Sequence, residues 1–122
     1  EIVLPQKLDH PFVGWAMQAQ LWQVLEKGCR VFMTPPPFDH SKLFVVDEIW
    51  TLIGSSNWDP RSLRLNFELG VETWDRELAA RIGALIDAKR NQGREITLAM
   101  MDGRSVPVRL RDGIARLFSP YL

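Results

Sequence analysis

His40 and Lys42 stand two residues apart in the run HSKLFVVD, with Asp47 five residues further on. Side chains of an extended chain alternate between faces, so His40 and Lys42 project together while Leu43 and Val45 take the other side. Two basic groups on one face of an otherwise apolar strand form a candidate anion site, because burying them is costly unless a carboxylate or phosphate partners them. The next apolar run ends in Gly54-Ser55-Ser56-Asn57, which supplies hydroxyl, amide and turn-backbone donors suited to phosphate oxygens. Glu68 follows between Phe67 and Leu69, where a carboxylate can accept a proton from one imidazole nitrogen and leave the other free to attack. Singly, each of these is an ordinary surface side chain. As a set spread over three consecutive strands, they are poorly explained as solvated decoration. Asp47, at odd spacing from Lys42, falls on the opposite strand face and suits an ion pair or a turn cap better than catalysis.

The elements that must position these residues alternate in type. EIVLP reads as a strand, and residues 11–28 place Phe12, Trp15, Ala16, Ala19, Leu21, Trp22 and Leu25 at helical spacing, with Gly28 as C-cap. CRVFM reads as a second strand, and Pro35, Pro36 and Pro37 end it, since proline cannot continue a central ladder. KLFVVD and IWTLIG flank a turn near Asp47-Glu48 and are expected to pair as a hairpin. Asn57 and Asp59-Pro60 are placed to cap a short helix through Leu65, after which NFELGVE resumes as a strand. From Asp75 a long helix places Leu78, Ile82, Leu85 and Ile86 on one face, with Lys89 and Arg90 near its C-terminal end. The remainder reads as short helices and turns. This order predicts an α/β fold, a mixed β-sheet flanked by helices.

Composition bounds the rest. A chain of 122 residues, 46% hydrophobic and 25% charged, is expected to form one folded domain. Its 15 basic and 15 acidic residues balance, so no global field draws in nucleic acid. Locally the balance breaks: residues 89–122 carry 7 basic against 3 acidic side chains. The expected division is therefore a lobe over residues 1–90 and a basic segment over 91–122 packed on it. If Arg104, Arg109, Arg111 and Arg116 face one way, opposed to Val106, Val108, Leu110, Leu117 and Phe118, the tail can rest on an anionic bilayer. The alternative is that its apolar residues dock on the lobe. A single cysteine and two histidines exclude an internal disulfide and a four-ligand zinc site from one chain. Cys29, among apolar neighbours, is expected to be an inert core thiol, and His10, in the turn Asp9-His10-Pro11, a loop residue without catalytic role.

HSKLFVVD fits H-x-K-x-x-x-x-D, the motif of the phospholipase D superfamily, and GSSN fits its Gly-Ser-x-Asn companion. GSSNWDPRSLRLNFE resembles the second motif region of bacterial cardiolipin synthases, where a similar string continues into N-x-E. The resemblance extends to the strand, helix and Gly-Cys-Arg-Val segment before the motif and to the FSPYL ending. It implies a phospholipase D-type lobe, half of a bilobal enzyme, working through a phosphohistidine on His40 and needing no metal or other cofactor. Lys42, Ser55 and Asn57 would hold the phosphate oxygens, Glu68 would orient His40, and Asp47 completes the motif. It implies a phospholipid substrate, a second motif-bearing lobe from the same protein or from a homodimer mate, and a full-length protein at the bacterial inner membrane. A chain that starts inside a strand with one motif is expected to be the C-terminal lobe, inactive alone. Two other readings stay open: a phospholipase or nuclease acting as a homodimer, and a non-catalytic phosphate-binding lobe.

Overall fold

The computed structural model describes residues 1–37, 39–57 and 62–118. β1 (Ile2–Pro5) is followed by α1 (Pro11–Gln18), α2 (Leu21–Glu26) and β2 (Val31–Thr34). β3 (Lys42–Val46), β4 (Trp50–Gly54), α3 (Ser62–Leu65) and β5 (Gly70–Trp74) come next. α4 (Arg76–Gln92), β6 (Arg94–Ile96), α5 (Leu98–Asp102) and α6 (Val106–Leu117) complete the order. The class is α/β, as the alternation of patterns predicts.

The strands form two three-stranded sheets rather than one. In the first, β2 lies between β1, parallel to it, and β6, antiparallel. Val31, Phe32 and Met33 are all buried, because this central strand is covered on both faces. Val31 and Met33 join Leu21 and Met101 in the core, with Ile2, Leu4, Met17, Val24, Leu25 and Ile96 packed around them. The second sheet is the antiparallel meander β3-β4-β5. α4 packs against strands of both sheets and ties them together. Asp75 caps it by accepting a hydrogen bond from the Leu78 N–H at 2.9 Å.

Several expectations need correction. The single helix over residues 11–28 is two, with a turn at Ala19-Gln20. α1 packs on α6 and α2 on α5, and two partners require two helix axes. Gly28 does follow α2 in the left-handed region, at φ 83°. Cys29 is half-buried at the junction before β2, not inside the strand. His10 is exposed at the N-terminal boundary of α1. The strand expected over NFELGVE begins only at Gly70. The expected cap at Asp59-Pro60 and the end of FSPYL lie outside the described residues.

The basic tail packs on the rest of the chain, with a different set of residues turned inward from the one expected. Beyond residue 90, β6 joins the first sheet and α6 lies along α1. With 3.6 residues per turn, Val108, Asp112 and Ala115 share the face turned to α1. Arg104, half-buried just before α6, and Arg111, exposed on it, both reach Asp112. Asp112 is 1% exposed and accepts from Arg104 Nη1 at 2.8 Å and from Arg111 Nε and Nη2 at 2.9 and 2.7 Å. A carboxylate this deep requires such partners. The Arg111 guanidinium also lies 4.5 Å from the Trp15 ring centre, and Phe118 meets Phe12 edge-on. Val106, Leu110, Ile114 and Leu117 form the opposite, exposed stripe, beside exposed Arg109 and Arg116.

Candidate active site

In a meander the start of β3, the end of β4 and the start of β5 lie at one edge. Lys42 pairs with Gly54, and Gly54 with Gly70. His40, Ser55-Ser56-Asn57 and Glu68 flank these three positions, so residues far apart in sequence come to one end of the sheet. Any side chain would be tight there: a Cβ on Gly54 would stand 3.2 Å from the Leu69 carbonyl oxygen, and one on Gly70 would stand 3.1 Å from Leu52 Cδ1.

Ser55 stitches this edge. Its N–H donates to the Leu69 carbonyl at 2.9 Å, and its Oγ accepts from the Leu69 N–H at 3.0 Å and donates to Glu68 Oε2 at 2.5 Å. The other Glu68 oxygen accepts from Asn66 Nδ2 at 3.2 Å, and the same amide reaches Ser62 Oγ at 3.3 Å. Asn66 was not among the residues expected at the site, although N-x-E spacing signals it, since residues two apart in extended chain share a face. Among the described contacts Glu68 therefore holds Ser55 and Asn66, where the motif implied a contact with the His40 imidazole. Asn57 is exposed at the end of the same turn, and its carbonyl accepts from Ser56 Oγ at 3.0 Å.

Lys42 is half-buried, and its Nζ donates to the His40 carbonyl at 2.8 Å. Burial pulls the ammonium below its usual pKa, and the Glu68 carboxylate opposes that shift. Lys42, Gly54, Ser56 and Glu68 line a cavity of about 80 Å³ whose other walls include Phe44, Leu52 and Leu69. The lining is thus one ammonium and a few polar groups against apolar side chains. The sheet face beyond continues apolar: Phe44 meets Trp50 edge-on at 5.8 Å, and Trp50 meets Trp74 at 6.5 Å. His40 is exposed on the loop before β3 and borders a second cavity, about 320 Å³, with Pro37, Asp39 and Lys89.

Asp47 is not brought to this edge. It sits in the β3–β4 turn, at φ 51° beside Glu48 at φ 56°, and the Ile49 N–H closes the turn on the Val46 carbonyl at 3.2 Å. Five residues of antiparallel strand put it about 17 Å from Lys42. It lies outside β3, in the turn, rather than on the opposite face of the strand as its odd spacing suggested.

Comparison with known proteins identifies the family. The family described as cardiolipin synthase, PLD-like domain, matches residues 1–90. A cardiolipin synthase of Oceanobacillus iheyensis is 35% identical over 122 residues, all of this chain and 26% of the relative. Cardiolipin synthase 1 of Staphylococcus epidermidis is 32% identical over 121 residues, 99% of this chain and 25% of the relative. A cardiolipin synthase of Staphylococcus aureus is 35% identical over 121 residues, 99% and 24% of the two chains. The chain thus spans about a quarter of the length of these relatives. With the family match extending over most of the chain, from β1 through nearly all of α4, the chain belongs to the PLD-like domain family of cardiolipin synthases.

Proposed function

We propose that this chain is the C-terminal, motif-bearing portion of an enzyme that moves a phosphatidyl group between glycerol-type headgroups, with His40 as the covalent carrier. An imidazole nitrogen of His40 attacks phosphorus, a P–N bond forms and the P–O bond to the departing alcohol breaks. The departing oxygen takes a proton from an acid on a second motif-bearing lobe. The acceptor hydroxyl then attacks phosphorus, loses its proton to that same group, and the P–N bond breaks. Proton delivery of this kind contributes about 10²–10⁴-fold. Lys42 and Asn57 hold the non-bridging oxygens and offset the charge of the transition state, while Ser55, its N–H and O–H committed to Leu69 and Glu68, braces the edge behind them. Glu68 acts one step back, fixing Ser55 and balancing Lys42.

The observation that supports this reading most strongly is the convergence of Lys42, Gly54, Ser56 and Glu68 on one cavity next to the His40 main chain. The apolar wall of Phe44, Leu52 and Leu69 favours a lipid diester over a nucleic acid, whose backbone calls for a basic groove. Among the described residues no helix is long and apolar enough to cross a membrane. Under this reading the full-length protein works at the bacterial inner membrane, where α6 presents its outer apolar stripe and two arginines to anionic lipid.

The test is transfer activity of the full-length protein on phosphatidylglycerol after His40→Ala and His40→Asn, with the fold checked by circular dichroism. Abolished transfer is the expected result. Undiminished transfer would overturn the carrier role and leave a phosphate-binding lobe. Turnover by the isolated chain, together with a concentration-dependent dimer, would instead establish the homodimeric hydrolase.

A further inference from the structure

The loop that carries His40 is held by a side chain the motif does not contain. Asp39 Oδ1 accepts from the Ser41 N–H at 2.8 Å and from Ser41 Oγ at 2.6 Å, so one carboxylate oxygen spans the backbone of His40. Its other oxygen, Oδ2, pairs with Lys89 Nζ. Both partners are half-buried, at 34% and 35% side-chain exposure, which shields the pair from solvent more than a surface contact. Lys89 comes from the last turn of α4, the longest helix, which packs on β2, β3 and β4. From the other side, Lys42 holds the His40 carbonyl. The main chain of His40 is therefore fixed at three consecutive residues: by Asp39 anchored to α4, by Ser41 bound to Asp39, and by its own carbonyl.

We propose that Asp39 and Lys89 are positioning residues, an ion pair that sets where the His40 imidazole stands relative to the Lys42 phosphate site. The proposal rests on the role given to His40 above. A nucleophile must come within bonding reach of phosphorus in line with the leaving oxygen, and a displacement of about 1 Å costs on the order of 10²-fold in rate. Asp39 and Lys89 line the cavity beside His40 but not the one that Lys42 lines. Loss of the pair should act on the chemical step more than on substrate binding.

The experiment compares Lys89→Met, Lys89→Arg, Asp39→Asn and His40→Ala in the full-length protein. It measures kcat and KM on phosphatidylglycerol in mixed micelles, per folded molecule. Lys89→Met and Asp39→Asn are expected to lower kcat about tenfold with KM within about twofold, a partial misplacement on the scale above. Lys89→Arg is expected to recover most of that loss, because a guanidinium can pair the same carboxylate. Wild-type kcat in Lys89→Met, with His40→Ala inactive, would overturn the positioning role and leave the carrier role intact. Activity in His40→Ala would overturn the carrier role itself. A loss confined to KM, or loss of fold in both pair variants, would also overturn the proposal, assigning the pair to binding or to stability alone.

Discussion

Replacing Asp112 by alanine tests whether the seating of α6 depends on its buried carboxylate, which ties the helix to Arg104 in the turn before it. Asp112 is 1% exposed and receives three hydrogen bonds of 2.7–2.9 Å from two guanidinium groups. Removing it leaves two cations facing one another beneath α6, yet Arg104 and Arg111 are 24% and 44% exposed and can turn partly to water. Breaking a buried pair costs about 3–5 kcal/mol, and this partial rehydration places the cost at the lower end. Alanine also returns about 0.5 kcal/mol of helix propensity. The net expectation is about 2.5 kcal/mol, or roughly 10 °C in Tm at about 4 °C per kcal/mol for a domain of this size. Ile114→Ala is the control, since Ile114 lies on the same helix but is 47% exposed on the outer stripe; its expected cost is within about 1 kcal/mol. Urea and thermal unfolding followed by circular dichroism read both. Equal effects at the two positions, or a loss under about 1 kcal/mol for Asp112→Ala, would refute the view that the carboxylate clamps α6.

Glu95 is held below the usual carboxylate pKa by its hydrogen bond and charge pairing with Arg30. A depressed folded value means that this contribution is full above the ordinary carboxylate range and is lost as pH falls through the folded value. Urea midpoints of wild type and Glu95→Gln should therefore differ at neutral pH and converge in acid; a gap that persists undiminished in acid refutes the assignment. For α6, Arg109→Glu with Arg116→Glu is expected to weaken sedimentation of the full chain with phosphatidylglycerol vesicles by tenfold or more, since each basic residue at an anionic surface contributes about 1 kcal/mol and each acidic replacement adds repulsion. Unchanged binding, or equal binding to neutral vesicles, would refute the electrostatic part.

What was legible in the sequence followed from local rules. The hairpin was legible because two β-rich runs flank a tight turn, and the turn at Asp47-Glu48 was legible with it. The class of fold and the grouping of Lys42 with Glu68 were legible for the same reason. Features that depend on distant partners were not. Asp39 meets Lys89 across 50 residues of sequence, and no periodicity announces such a pair. The tail showed its arginines but not the depth of Asp112, so Arg104 and Arg111 read as a solvated face when they are partners of a buried carboxylate. The late start of β5 was hidden because Asn66–Leu69 has strand-like composition, while its polar groups are taken up by Ser55 and Ser62.

The meander explains why the chemistry-bearing residues occur in the order they do. A strand start, the following strand end and the next strand start must share one edge, so a site at that edge draws its residues from before one strand, after the next, and before the third. His40 and Lys42, then Ser55 to Asn57, then Glu68, follow that order. Insertions at the Asp47-Glu48 turn leave the edge untouched, because that turn closes the opposite end. A one-residue insertion inside β4 is a different perturbation: it turns every following side chain to the other face, displacing Gly54 from its pairing with Lys42 and Gly70. A larger residue at the Gly54 position would press on the Leu69 carbonyl, so such a slip strains the site even where the strand still pairs.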